Sequence, residues 1–319
     1  MKYIFVFGMM VMLSVVCGGA DADELVISFL SNEQGNYEIF VVDVAGTVLD
    51  RFETDPMQKS GLTWSPDPNV FGFSSGADGN LDVYKMDLRE KKPIRLTFHE
   101  ERDLRPTWSP NGKWIAFISD RNGKHDVFRI DADGANLTQL TNEGHCGMPT
   151  WSPDSKWIAV DIDHDVLNAI YIMNAEGDAL RQVTGDLPLL GGGLCWSPDG
   201  ERLAYVAGRF GQEAINVFTI GVDGEDKQRL TDLGIGLRAG FPAWSPDGKW
   251  IAYSVVPLFG GDSTVYVIRS DGVGIGKALE ETAGLSVGHV SVWRYGSFFW
   301  ASPEMGSSWV TWGAVKAGL

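Results

Sequence analysis

The chain of 319 residues carries 42 acidic against 26 basic side chains, a formal net charge of −16, and 44% of its residues are hydrophobic. That excess of carboxylates argues against nucleic acid or an anionic membrane as partner, because such binding rests on Lys and Arg neutralising phosphates; it fits a secreted protein kept soluble by like charge. The length suffices for a large core, and all-β barrels and propellers reach it as one domain.

At the start, Lys2 is followed by an apolar run from Tyr3 to Val16 and by small residues up to Ala20 and Ala22. A positive first segment, a run too short to span a bilayer and the small-residue site Ala20-Asp21-Ala22 predict a signal peptide over 1–22 and a periplasmic or extracellular location. Cys17 raises the question of a lipid anchor, but Ser14 and Val16 stand where a lipobox carries a large aliphatic and a small residue. Anchoring is therefore not expected. No later run is long enough to span a membrane, and residues 23–319 are expected to form a single domain. After cleavage Cys146 and Cys195 remain, either as a disulfide or as small core residues.

From there the chain reads as short strands separated by Gly, Asn and Asp turns. Val26 to Phe29, Tyr37 to Val42 and Val48 to Phe52 come first, and then Trp-Ser-Pro recurs at Trp64, Trp108, Trp151, Trp196 and Trp244, at intervals of 44, 43, 45 and 48 residues. In the second period, Pro106 to Pro110, Trp114 to Ile118, His125 to Ile130 and Leu137 to Thr141 make a four-stranded antiparallel meander. The fullest copy is Pro242-Ala243-Trp244-Ser245-Pro246-Asp247-Gly248-Lys249-Trp250-Ile251-Ala252-Tyr253, a hairpin around a type I turn. Its second strand is apolar on both faces, with a small residue in the middle of every copy: Gly72, Ala116, Ala159, Ala204 and Ala252. Burial between neighbouring blades is expected for the flanking Trp114, Phe117, Trp157, Trp250 and Tyr253.

A period of this length with four strands is the signature of a propeller blade. The fold class expected is all-β, a six-bladed β-propeller of four-stranded antiparallel blades. It would be closed by pairing the N-terminal strands with a last strand at Phe298 to Ser302, next to the degenerate motif Ala301-Ser302-Pro303-Glu304. Trp309 to Trp312 leaves seven blades as the alternative.

The repeat Trp-Ser-Pro-Asp-Gly-Lys-Trp-Ile-Ala-Tyr, followed by Asp-Gly and Leu-Thr, resembles the WD-like repeat of the TolB propeller family. The resemblance implies a six-bladed propeller in the periplasm that acts through protein contacts. The α/β domain that precedes the propeller in TolB has no counterpart before the first strand here, so a stand-alone propeller is expected and a full Tol-Pal role is in doubt.

Function in such folds sits where connectors join the outermost strand of one blade to the innermost strand of the next. Those connectors carry the candidate binding residues His99, Arg105, His145, Arg238 and His289. The three histidines could form a transition-metal site, but they lack local ligand spacing, and solvated loop histidines are the simpler reading; no metal and no cofactor is expected. Asp161, Asp163 and Asp165 alternate like hard ligands for calcium, without the glycine turn or closing acid of a calcium loop. Gly284-Leu285-Ser286-Val287-Gly288 matches a nucleophile elbow without the sheet and helix it needs, and Gly272 to Gly276 lacks a phosphate-cradling helix. The preferred reading is a binding scaffold for an envelope protein or small ligand, with no nucleic acid and no membrane span. The alternative is a glycan lyase or hydrolase using the His and Arg residues of the channel mouth.

Overall fold

Each Trp-Ser-Pro hairpin is tied by its own side chains. At 244–253, the Gly248 N–H donates to the Ser245 carbonyl (2.9 Å), the Ser245 hydroxyl donates to Asp247 Oδ1 (2.6 Å) and accepts the Trp250 N–H (2.9 Å), and the Lys249 N–H donates to Asp247 Oδ1 (3.1 Å). Gly248 sits at φ 70°, where a side chain would strain the turn. The same network recurs with Ser109 and Asn111, Ser152 and Asp154, and Ser197 and Asp199. In the copy at Ser152 a serine, Ser155, takes the left-handed position at φ 62°.

The computed structural model describes residues 25–31, 38–43, 48–53, 59–67, 69–76, 79–87, 89–90, 92–164, 167–185, 190–208, 214–257, 264–274, 277–278 and 287–295. Their strands form four-stranded antiparallel sheets. The first repeat blade is β4 (Lys59–Trp64), β5 (Val70–Ser75), β6 (Asp82–Asp87) and β7 (Lys92–Arg95). Next come β8 (Asp103–Trp108), β9 (Trp114–Ser119), β10 (Asp126–Asp131) and β11 (Thr138–Gln139), and then β12 (Thr150–Trp151), β13 (Trp157–His164), β14 (Leu167–Asn174) and β15 (Arg181–Gln182). The fourth is β16 (Leu190–Trp196), β17 (Arg202–Ala207), β18 (Asn216–Gly221) and β19 (Gln228–Arg229); the fifth is β20 (Leu237–Trp244), β21 (Trp250–Pro257), β22 (Thr264–Arg269) and β23 (Lys277–Ala278).

The expectation of a six-bladed propeller, five Trp-Ser-Pro blades and one from both termini with seven blades as the alternative, is corrected: among the described residues the blades of the repeat number five. The remaining sheet joins β1 (Leu25–Ser31), β2 (Glu38–Asp43) and β3 (Val48–Glu53) to β24 (Val287–Tyr295), in the order β24-β1-β2-β3. It is not a sixth copy, because its C-terminal strand lies ahead of the degenerate motif rather than at Phe298 to Ser302. Val26 pairs with Arg294 and Leu30 with His289, and the pairing slips register twice. The physical reason is that Val287 to Tyr295 supplies nine consecutive residues rich in valine and aromatic side chains, long enough to run the whole of β1 with its seven. Phe298 to Ser302, Trp309 to Trp312, Cys17, the 1–22 segment, Asp165, Ser286 and Gly276 lie outside the described residues.

Hydrogen bonds cross between neighbouring blades. The Trp151 Nε1–H donates to the Thr107 carbonyl and the Trp196 Nε1–H to the Thr150 carbonyl, both at 3.1 Å, and the Trp108 N–H donates to Thr63 Oγ1 at 2.9 Å. The Trp-Ser-Pro tryptophans are all buried, at 3–6% exposure, so each also contributes a large apolar surface to the seam. The small middle residues leave room for this: a Cβ on Gly72 would lie 3.0 Å from Thr63 Cγ2 and 3.6 Å from the ring of Trp108. Of the flanking aromatics, Phe117 and Tyr253 are buried, but Trp114 and Trp250 are half-buried and Trp157 is exposed. They begin the second strand right after the turn, at the rim of the blade, where Trp114 stacks on Trp151 with ring centroids 5.8 Å apart.

Within a blade, the Leu-Thr of the repeat closes the outer strands. The Thr141 hydroxyl donates to buried Asp126 Oδ1 and accepts the Val127 N–H, both at 2.9 Å. Thr97 makes the same pair of bonds with Asp82 (3.2 Å) and Val83 (2.9 Å), and Thr231 with Asn216 and Val217, both at 2.9 Å.

Candidate functional site

The innermost strand of a repeat blade carries its Trp at the end away from the connector, and three residues earlier stand Gly61, Arg105, Met148, Gly193 and Phe241. Four of these five have left-handed backbone: Gly61 at φ 68°, Arg105 at 54°, Gly193 at 105° and Phe241 at 50°. In each of those four blades the pairing with the second strand breaks across this position, between Ser60 and Thr63, Leu104 and Thr107, Leu190 and Leu194, and Gly240 and Ala243. This is a β-bulge, which turns a side chain toward the axis.

The five positions make one layer. Met148 and Phe241, both buried, pack on each other although the β16–β19 blade lies between theirs in the order of the chain. The glycines admit their neighbours' backbone: a Cβ on Gly61 would lie 2.8 Å from the Arg105 Cα, and one on Gly193 2.9 Å from the Phe241 Cα. Arg105 is the charged member of this layer.

Around Arg105 the electrostatics are uneven. Asp161 lies in β13 with its carboxylate against the innermost strand: the Met148 N–H donates to its Oδ1 at 3.2 Å, and a Cβ on Gly147 would fall 2.2 Å from both oxygens. Burial raises this carboxyl above its ordinary value, against the opposing pull of Arg105 and the backbone donor. Burial likewise lowers the Arg105 guanidinium below its ordinary value, with Asp161 opposing. Among the described residues, no hydrogen bond or ion pair within 4.0 Å engages that guanidinium. The other arginines of this rim are matched: Arg121 grips Asp103 at 2.9 and 3.0 Å, Arg102 reaches Asp120 at 2.7 Å, and Arg95 reaches Asp82 at 2.7 Å.

Of the histidines expected at the mouth, His99 and His145 stay in separate connectors. His99 is exposed in its own connector, where its Nδ1 accepts the Glu101 N–H at 3.0 Å. His145 is exposed at φ 56°, its carbonyl accepting the Asp163 N–H at 3.2 Å. His289 is placed only as a register position opposite Leu30. Among the described residues no group of three or more His, Cys, Asp or Glu converges as a metal site would require. Arg238 lies half-buried in β20, where its own backbone bridges to Ile215, and burial lowers its guanidinium. His125 was absent from the candidates of the sequence; it stands 3.9 Å from Asp120 and is held below its ordinary value by burial first, with Asp120 opposing and Arg102, Arg105 and His145 adding to the depression. Cys146 and Cys195 are free, buried thiols in separate core clusters, not a disulfide, and burial pushes each up to about 12.

A family model described as the TolB beta propeller domain matches residues 20–146 and 139–256. The chain belongs to that family. Among solved structures this TolB-type propeller is similar to TolB from Acinetobacter baumannii, with a TM-score of 0.66 at 17% identity over 85% of this chain and 66% of that one. The chain thus spans just under two thirds of the Acinetobacter protein. It is also similar to a protein assigned as TolB from Agrobacterium tumefaciens, with a TM-score of 0.64 at 20% identity over 81% of this chain and 89% of that one. An oligogalacturonate lyase in complex with manganese gives a TM-score of 0.56 at 13% identity, over 80% and 72% of the two chains. At these identities the likeness concerns the fold. No curated protein matches the chain. Among the described residues no helix is long and apolar enough to cross a membrane.

Met148 and Phe241 were also missing from the candidate residues of the sequence, and Asp161 was weighed there only as a calcium ligand. For Met148 and Phe241 the signal lay in the repeat itself: the position three before each Trp is glycine in two copies and a large side chain in three, while Asp161 stands where the other blades carry Ser74, Ile118, Val206 and Ser254, so it puts the one charge at that position.

Proposed function

We propose that this TolB-type propeller is exported by residues 1–22, folds as one domain over 23–319, and serves in the periplasm or outside the cell as a binding scaffold for an envelope protein. Its contact surface is the channel mouth at the connectors, with His99, Arg105, His145, Arg238 and His289 around it. One observation carries this reading: Arg105 and Phe241 hold left-handed backbone that other blades give to glycine. Such strain costs about 1–3 kcal/mol per residue and gathers at functional sites. Family membership supports a role in protein contact.

The test is capture from envelope extract with purified protein, comparing wild type with a variant carrying His145→Ser and Arg238→Gln. A partner retained by the wild type and lost by the variant is the expected result. Equal capture by both, or capture by neither, overturns the reading. The same preparation analysed for manganese bears on the lyase alternative, which requires stoichiometric metal or a uronide-cleaving activity that falls on His145→Ser.

A further inference from the structure

We propose that Arg105 is the receptor for a carboxylate of a bound peptide, the group being drawn into the channel mouth beside the apolar wall of Met148 and Phe241. This deepens the scaffold reading and rests on it. Three observations converge. The first is the backbone: a left-handed φ of 54° at a non-glycine residue, in a layer where the blade before supplies Gly61, shows a side chain kept against local preference. The second is the missing partner. Arg95, Arg102 and Arg121 on the same rim each hold a carboxylate, whereas the half-buried Arg105 guanidinium meets Asp161 only as a neighbouring charge. A guanidinium is a planar fork that suits a carboxylate in bidentate fashion, and one taken partly out of water without such a partner is poised to gain from one.

The third observation concerns why Asp161 leaves the place open. Its oxygens are drawn the other way, onto the Met148 N–H and into the space that Gly147 leaves by having no side chain. The nearby carboxylate therefore moderates the charge of Arg105 without occupying its fork. Met148 and Phe241, both buried, pack on each other in the same layer, so the charge of Arg105 stands next to apolar side chains. That pairing fits a peptide that presents a carboxylate next to an apolar side chain.

Arg105→Gly isolates the proposal from folding, because glycine is what Gly61 and Gly193 supply at the same position of their blades. The probes are three acetylated tetrapeptides: Gly-Ala-Leu-Phe with a free C-terminus, the same peptide as its C-terminal amide, and Gly-Asp-Leu-Phe amide. Binding is read by titration calorimetry on the full protein, alongside thermal unfolding. The expected result is that at least one acid probe binds wild type at least about tenfold more tightly than the amide, and that Arg105→Gly removes the difference without lowering the unfolding temperature. Preference for the free terminus or for the aspartyl side chain names the source of the carboxylate. Equal binding of acid and amide, a preference that survives Arg105→Gly, binding of digalacturonate with no binding of either acid peptide, or no binding of any probe overturns it. Envelope capture that is identical for wild type and Arg105→Gly also overturns it while leaving the scaffold reading in place, whereas loss of all capture by wild type removes both.

Discussion

Asp161 has its carboxyl raised by burial, so the folded chain holds that proton more tightly than the unfolded chain does. The sign follows from linkage: stability falls as pH rises from the ordinary carboxylate range through the raised value, and levels off above it. Asp82 adds to the same limb, raised first by burial against Arg95 and Thr97. Asp161→Asn keeps an oxygen for the Met148 N–H and removes one titration, so urea midpoints measured from about pH 4 to about pH 8 should show a shallower decline than wild type. The buried thiols give a second residue-scale prediction. With Cys146 and Cys195 free, a thiol reagent should label neither in the folded protein over minutes and both once it is unfolded in denaturant without reductant. Sequence left their pairing open because two cysteines at neighbouring connectors are compatible with a bridge. Geometry decided it, since each side chain turns into the core of its own seam.

Between residues, the hairpin and the Leu-Thr closure are the units to perturb. Ser245→Ala removes both the acceptor for the Trp250 N–H and the donor to Asp247, and should lower stability by about 1–2 kcal/mol in chemical unfolding. Thr141→Val should cost more, about 2–3 kcal/mol, because it leaves the Asp126 carboxylate and the Val127 N–H short of a buried partner. A Thr141→Ser control should recover most of the loss. The turn was readable from Ser-Pro-Asp-Gly alone, since the proline, the acid and the glycine each answer a local backbone demand. Leu-Thr was visible as part of the repeat but not explained by it: the partner of Thr141 lies 15 residues away, at the start of another strand. Trp157 marks the opposite error, where an aromatic in a repeated position suggested burial although the end of the strand stands at the rim.

At the scale of the molecule, the repeat announced its five blades because each is local, a meander of adjacent strands. The sheet between the termini was harder to read, since no motif marks β24 and the pairing that places it joins residues from the two ends of the chain. Of the proposed mouth, Arg105 and Arg238 were named from their connectors, while Met148 and Phe241 meet across blades and Asp161 takes the Met148 N–H within its own blade, pairings that no run of adjacent residues displays. Removing residues from 287 onward should leave β1 paired only with β2 and its other edge open, and such a truncated chain should appear mainly as aggregate, measured as the soluble fraction after refolding. The β1–β24 pairing also orders events in time. Among the described strands β1 is made before the others and β24 after them, so during synthesis one edge of the sheet that holds β1 stays open until Val287 to Tyr295 has emerged. Five blades can form as they emerge; the clasp cannot, and its long contact separation makes it the slow step of assembly. The chain thus carries a late checkpoint, in which only a fully delivered polypeptide can seal its own beginning.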